Sequence, residues 1–401
     1  MIDLEVLRDC YVPSPSKIVM LVADGLGGLA HPETGRSELE TAVIPNLDAM
    51  SRESACGLTI PVLPGVTPGS GPGHLSLFGY DPLKHLIGRG ALEALGIDVA
   101  LESGDVAARG NFCTVDGDGL LVDRRAGRIP TELSEPLCRL LDQIKLDGVQ
   151  LDVYPVQDYR FVLRLRGEGL SAALSETDPQ RVGLAPLPAE PLAPEAQRSA
   201  SLVNQFASRA QQLLAEEERA NMVLLRGFAK LPSLPPMGEI YRLNPGAIAA
   251  YPMYRGLATV AGMRVILTGK TFADEVETLR ENYNAHDFFF LHYKPADAAG
   301  EDGDFDAKVK RLEELDALIP QIRELEPDVL IVCGDHATPA VMAGHSWHPV
   351  PFMLHSAWTG AEGIKEFNER ECALGSIGRI PATNVMLLAL SHAGKLVKFG
   401  A

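Results

Sequence analysis

The sequence predicts an α/β protein: a mostly parallel central sheet flanked by helices, with an inserted α/β domain. Three observations carry this. Short continuous apolar runs recur at 18–23, 288–293, 329–333 and 350–354, as strands buried on both faces require. Between the second and third runs, Val309, Leu312, Leu315, Ile319 and Ile322 fall at spacings of three and four with charged residues between them. That is a helix with one apolar face, and strand–helix–strand order makes a parallel unit with a right-handed crossover. The middle of the chain has a different texture, alternating rather than continuous.

Taken in order, the first run, Ile18-Val19-Met20-Leu21-Val22-Ala23, meets Asp24-Gly25-Leu26-Gly27-Gly28, where the chain must turn. Around 105–167, Leu151-Asp152-Val153-Tyr154 and Arg160-Phe161-Val162-Leu163-Arg164-Leu165 read as half-buried strands. The Pro- and Ala-rich stretch 179–197 reads as irregular loop, 199–217 as helix, and Met222-Val223-Leu224-Leu225 as another strand. We therefore expect a discontinuous core domain of 1–105 and 281–401. Residues 106–280 would form an inserted substrate-binding or lid domain, with hinges near 100–106 and 268–282.

Composition narrows the function. The 401 residues are 46% hydrophobic and 22% charged, with a net charge of −17. Such a chain buries a sizeable core, and its charge opposes general binding to nucleic acid, whose phosphates demand clustered Lys and Arg. No stretch nears the roughly 18 apolar residues that crossing a membrane takes. MIDLEVLRDC has no basic start and no apolar segment, so no signal peptide is read. The scattered Cys10, Cys56, Cys113, Cys138, Cys333 and Cys372 suit reduced thiols in the cytoplasm. Nothing in the sequence speaks to oligomeric state.

The acidic and imidazole groups fall at informative places. Asp24 follows the first strand, Asp297 the second, Asp335 and His336 the third, and His345 lies in the loop leading to the fourth. Parallel sheets place ligand sites outside the carboxyl ends of their strands, so these residues are expected to converge on one rim. Oxygen and imidazole donors there can hold divalent cations, two of which would clamp the attacking and leaving oxygens of a phosphoryl transfer. Taken singly, an Asp after a strand is most often a cap or turn former. A Gly/Pro-rich turn, Thr67-Pro68-Gly69-Ser70, delivers Ser70 to a short apolar helix. There it would either cap the helix or act as a nucleophile for phosphate. His74 is read as structural.

Val22-Ala23-Asp24-Gly25-Leu26-Gly27, Pro68-Gly69-Ser70, His74 through Pro82, Arg124 through Arg128, Lys294-Pro295-Ala296-Asp297, Gly334-Asp335-His336 and His345-Ser346 together resemble the archaeal-type 2,3-bisphosphoglycerate-independent phosphoglycerate mutases. Those are metalloenzymes of the alkaline phosphatase superfamily. The resemblance implies an alkaline-phosphatase-like core and interconversion of 3- and 2-phosphoglycerate through a phosphoserine, with no 2,3-bisphosphoglycerate. Ser70 resembles the nucleophile. Asp24, Asp335, His336 and Ser70 resemble the ligands of one ion, and Asp297 and His345 those of a second. Manganese is the usual ion, with magnesium, zinc or cobalt as others. Glu301 stands where the family carries a histidine ligand, Gly71 where an acidic residue follows the serine, and Leu267-Thr268-Gly269-Lys270 matches a family segment poorly. A metal-dependent phosphatase or phosphonate hydrolase on the same core, or a homologue that binds metal without catalysis, is the alternative.

A small phosphorylated acid also needs cations from the protein. Arg124, Arg125 and Arg128 cluster at a turn that resembles the family's substrate-binding segment. Arg109, Arg160 and Arg226 sit near expected strands of the insertion. Guanidinium groups match carboxylate and phosphate with paired donors. The lid expected of the insertion would keep free glycerate in and water out.

Overall fold

The apolar runs become strands buried from end to end. The structure, a computed structural model, describes residues 7–360 and 362–400. Strands β1 (Ile18–Ala23) and β2 (Ala55–Ile60) enter a larger sheet. The chain then builds β3 (Val106–Val115), β4 (Leu121–Asp123), β5 (Gln150–Pro155), β6 (Arg160–Arg166) and β7 (Met222–Ala229) in a second, antiparallel sheet. It returns to the first with β8 (Pro245–Ile248), β9 (Arg264–Ile266), β10 (Phe288–Tyr293), β11 (Val329–Cys333), β12 (Val350–Ser356) and β13 (Gly378–Pro381).

The larger sheet runs β13-β2-β12-β11-β1-β10-β8-β9. Every neighbouring pair is parallel except those of β12, which is antiparallel to both β11 and β2. Register explains the site. Ile18 of β1 pairs with Phe288 of β10 on one side and Val329 of β11 on the other, so the three strands end level and release Asp24, Lys294 and Gly334 at one rim. Because β12 runs the other way, the loop joining β11 to β12 stays at that rim and carries His345 with it. Strand β2, antiparallel to β12, ends at the same rim and leads to Ser70.

The chain divides into two compact units: Met1–Leu86, Leu234–Tyr251 and Ala261–Ala401 in one, Ile87–Ser233 and Pro252–Val260 in the other. This differs from the segmentation expected from sequence. Strands β8 and β9, expected in the insertion, extend the larger sheet beyond β10. Residues 87–105, expected in the core domain, belong to the smaller unit, where helix Arg89–Gly96 packs on β3, on β7 and on helix Pro252–Val260. The chain passes between units at 86–87, 233–234, 251–252 and 260–261, not at the hinges expected near 100–106 and 268–282. Composition does not mark those points, because a return crossing as short as 252–260 leaves no linker texture.

Each unit has its own core. Val19, Leu21, Phe289, Leu291, Leu330 and Val332 head one cluster, joined by Leu312, Leu315, Ile319 and Ile322 from the crossover helices. Phe112, Phe161, Leu163, Val223 and Phe206 head the other. The crossover helix Phe305–Asp316 follows the expected stripe with one exception: Lys308, not Val309, is the buried residue of its first turn. All six cysteines are buried free thiols. Among the described residues no helix is long and apolar enough to cross a membrane.

Candidate active site

The residues expected to converge do so within the larger unit. Asp24, Asp297, Asp335 and His336 are fully buried, and Ser70 nearly so. Asp24, Asp335 and His336 have ligand atoms within 4.8 Å of one another, as do Asp297, His336 and His345. His336 Nε2 lies 3.4 Å from Asp24 Oδ1 and 3.2 Å from Asp335 Oδ2, and His345 Nε2 lies 3.5 Å from Asp297 Oδ1. The His336 and His345 rings stack with centroids 3.7 Å apart.

Ser70 is the first residue of helix Ser70–Leu77, whose N-cap is Gly69, and its hydroxyl makes no capping bond. Instead Ser70 Oγ lies 3.2 Å from His336 Nε2. Neighbours fix the tautomer of His336. Thr338 Oγ1 gives its one proton to Asp297 Oδ1 at 2.7 Å, so at 3.0 Å from His336 Nδ1 it accepts. Nδ1 thus carries the proton, and Nε2 presents a lone pair to Ser70 and the carboxylates.

Three further residues complete the cluster, and sequence reasoning missed their part. His292 in β10 has Nε2 3.2 Å from Asp24 Oδ2. His74, read as structural, has Nδ1 2.8 Å from the Ser70 carbonyl and 3.1 Å from Asp335 Oδ2, tying the serine's backbone to a candidate ligand. Lys294 bonds Asp297 and reaches Asp24 Oδ2 at 3.3 Å. An aromatic run with one histidine gave the only signal for His292. Thr338, two residues beyond His336, gave none.

Electrostatics leave Asp24, Asp335 and His336 ready for a cation, whereas His345 holds a proton that an ion would have to displace. Burial opposes ionisation of Asp24, but Lys294, His292 and His336 outweigh it and hold the carboxyl well below its usual range. Burial and Asp24 likewise oppose Asp335, and His336 and His74 pull it below. Burial lifts Asp297, and Asp24 adds to this. Burial lowers His336 despite its acidic neighbours, which keeps the imidazole neutral, as a ligand must be. For His345 burial acts downward too, but Glu301 and Asp297 prevail and raise it to about 9. Three buried carboxylates at this spacing repel one another, and oxygen and imidazole donors suit hard or borderline divalent ions. The residues fit such ions.

Local packing is tight where loops meet. Gly25 has φ +66°, and a Cβ there would lie 2.8 Å from the Asp297 backbone. Glu301 ends helix Pro295–Glu301, with Oε1 3.5 Å from His345 Nε2 and its side chain 55% exposed.

The candidate arginines all lie in the smaller unit, and part of them gather there. Arg109 and Arg226 are cross-strand partners on β3 and β7. Arg124 grips Asp178 through two bonds of 2.9 and 2.6 Å. Arg226 binds Glu176 at 3.0 Å and lies 3.6 Å from Asp178. Arg109 pairs with Glu93 at 3.3 Å. Arg160 lies over the Tyr159 ring and opposite Asn111 of β3, and Arg125 and Arg128 are exposed on the turn after β4. No local pattern signals that Asp178 and Glu176 occupy Arg124 and Arg226.

A serine hydroxyl at a helix start, set among divalent-ion donors on the rim of a mostly parallel sheet, defines an α/β metal-dependent enzyme. The family model described as 2,3-bisphosphoglycerate-independent phosphoglycerate mutase matches residues 51–220. The chain is 48% identical over 404 residues to a probable 2,3-bisphosphoglycerate-independent phosphoglycerate mutase of Thermosipho melanesiensis, covering 100% of both. It is 50% identical over 388 residues to the probable enzyme of Thermotoga maritima, covering 96% of each. Among solved structures, the cofactor-independent phosphoglycerate mutase of Thermoplasma acidophilum is 28% identical with a TM-score of 0.68, over 94% of this chain and 100% of that one. The PH0037 protein of Pyrococcus horikoshii is 27% identical with a TM-score of 0.83, over 96% and 99%. The chain belongs to the 2,3-bisphosphoglycerate-independent phosphoglycerate mutase family.

Proposed function

We propose that this protein is a cytoplasmic isomerase that interconverts 3-phosphoglycerate and 2-phosphoglycerate through a phosphoserine at Ser70, without 2,3-bisphosphoglycerate. One divalent ion would be held by Asp24, Asp335, His336 and Ser70, the other by Asp297, His345 and Glu301, with manganese the first choice. Family membership supports the reaction. The observation that carries the chemistry is the Ser70 hydroxyl 3.2 Å from His336 Nε2, inside the donor cluster. When bound, the ions supply Lewis acidity that lowers the serine pKa and offsets charge on the transferring group.

The chain's own residues do the rest. Without an ion, the Ser70 hydroxyl donates a hydrogen bond to His336 Nε2, which orients it. The start of helix Ser70–Leu77 turns backbone N–H groups toward an arriving phosphate. Lys294, between Asp24 and Asp297, adds a positive charge for phosphoryl oxygens. Arg109, Arg124, Arg125, Arg128, Arg160 and Arg226 are proposed to bind the carboxylate and phosphate of the substrate. Ser70 Oγ displaces the substrate oxygen from phosphorus, the proton lost by the serine going to that leaving oxygen; glycerate reorients, and its other hydroxyl takes the phosphoryl group back as its proton returns to Ser70. No water is consumed.

An enolase-coupled assay from 3-phosphoglycerate with manganese, run beside a free-phosphate assay, tests this. We expect 2-phosphoglycerate with phosphate at the blank level, and Ser70→Ala should cut turnover by at least roughly 1,000-fold. Free phosphate as the main product would make the protein a hydrolase. Full activity of Ser70→Ala would remove the phosphoserine.

A further inference from the structure

Lys308 occupies a core position on helix Phe305–Asp316, in line with Leu312 and Leu315, and is fully buried. An apolar residue would satisfy that stripe at less cost, because burying an ammonium is unfavourable unless its protons find partners. Here they find two backbone carbonyls. Lys308 Nζ donates to Gly27 O at 2.9 Å and to Thr338 O at 2.8 Å. These carbonyls belong to different loops. Gly27 lies three residues beyond Asp24, and Thr338 lies two beyond His336 and bonds both His336 and Asp297 through its side chain. The loops also meet directly, Thr338 N donating to Gly27 O at 3.0 Å.

The charge behind the ammonium extends the same tie. Glu38 Oε1 lies 3.8 Å from Lys308 Nζ and accepts Ala340 N at 2.8 Å, while its Oε2 accepts Leu29 N at 3.2 Å. Glu369 accepts Gly28 N at 2.7 Å and the Ser37 hydroxyl at 2.6 Å. Both loops that carry candidate ligands are thus fastened, residue after residue, to one buried ionic centre.

We propose that Lys308 is a positioning residue for the metal site: its ammonium, bridging the Gly27 and Thr338 carbonyls, holds the Asp24 loop and the Asp335–His336 loop at the spacing that lets their side chains bind one cation. It touches neither substrate nor metal. The inference rests on the metal-site reading above and adds to it a residue that acts through the backbone.

The test is calorimetric titration of metal-stripped protein with manganese(II) alone, at a temperature well below unfolding, which needs no turnover. Two variants are used. Lys308→Met keeps length and apolar volume, and the double variant K308M/E38Q removes the ammonium together with its nearest carboxylate, leaving Glu369 with its Gly28 and Ser37 donors. We expect folded variants to bind manganese about tenfold or more weakly than the parent. With saturating manganese, kcat should fall while KM for 3-phosphoglycerate stays within about twofold, because the substrate arginines are untouched. Manganese affinity and kcat equal to the parent in either folded variant would overturn the proposal. So would failure of both variants to fold, which would assign the lysine to stability alone. A parent that binds no manganese would instead overturn the metal-site reading itself, so the two failures are distinct.

Discussion

Glu301 and Glu275 are two acidic side chains with opposite surroundings, and each has a measurable consequence. Glu301 sits half in solvent, 3.5 Å from His345 Nε2, at the position where the resemblance in sequence leads one to expect histidine. A carboxylate there favours hard ions. Glu301→His should raise zinc affinity on the order of tenfold relative to manganese, read by competitive titration of metal-stripped protein; an unchanged ratio would take residue 301 out of the site. Glu275 accepts Ala250 N at 2.8 Å through one oxygen, while Oε2 has no hydrogen-bond partner among the described residues. Burial raises its pKa well above 4.5. The folded state therefore holds a proton that the unfolded state has released once pH exceeds about 4.5. Stability from this group is present at low pH and is lost as pH rises toward the folded value. Glu275→Gln keeps the shape of the protonated acid and removes that loss. Its Tm should exceed the parent's by a few degrees at pH 8 and approach it at pH 5. A gap independent of pH would contradict the sign.

At the scale of elements, the serine-bearing helix is held by contact with the β11 loop. Gly73, one turn on from Ser70, packs so closely that a Cβ would lie 2.3 Å from the Asp335 carbonyl. That atom is backbone and cannot swing aside, so Gly73→Ala must move the helix from the ligand loop. We expect a stability loss of about 1–3 kcal/mol and a fall in kcat of roughly 100-fold, measured by denaturant unfolding and the coupled assay. Parent-like turnover would show that the helix position is not critical. The same scale explains which elements could be read in advance. Strands β1, β10 and β11 announce themselves as unbroken apolar runs because helices or loops cover both faces. β8 is four residues and β9 three, Pro245–Ile248 and Arg264–Ile266, too short for a period to register. β8 takes its place by pairing with β10, and β9 forms the edge by pairing with β8, both non-local facts.

For the molecule as a whole, the larger unit gathers three buried carboxylates, Asp24, Asp297 and Asp335, at one rim, so its stability should be linked to divalent ions. Binding to the folded state alone gives about 2.7 kcal/mol at a hundredfold excess over Kd. For a unit of this size that is roughly 5–10 °C in Tm. Manganese added to stripped protein should raise the melting transition by that amount, and a chelator should reverse it. No shift with either would mean that the donor cluster binds no ion.

The sequence by itself determined which side chains gather at the rim. Asp24, Asp297, Asp335, His336 and His345 each follow or precede a strand that the apolar pattern marks, and the parallel order of those strands forces their ends together. Ser70 was legible as a residue delivered by a Gly/Pro turn, though not whether it caps its helix. The tertiary structure alone decided the rest. It set the antiparallel course of β12, the tautomer of His336 imposed by Thr338, the entry of His74, His292 and Lys294, the buried lysine at 308, and the acidic partners of Arg124 and Arg226. The physical reason is one of range. Periodicity and turn chemistry are local and are written in adjacent residues, whereas protonation, burial of charge and sheet order depend on groups that meet only when distant segments pack.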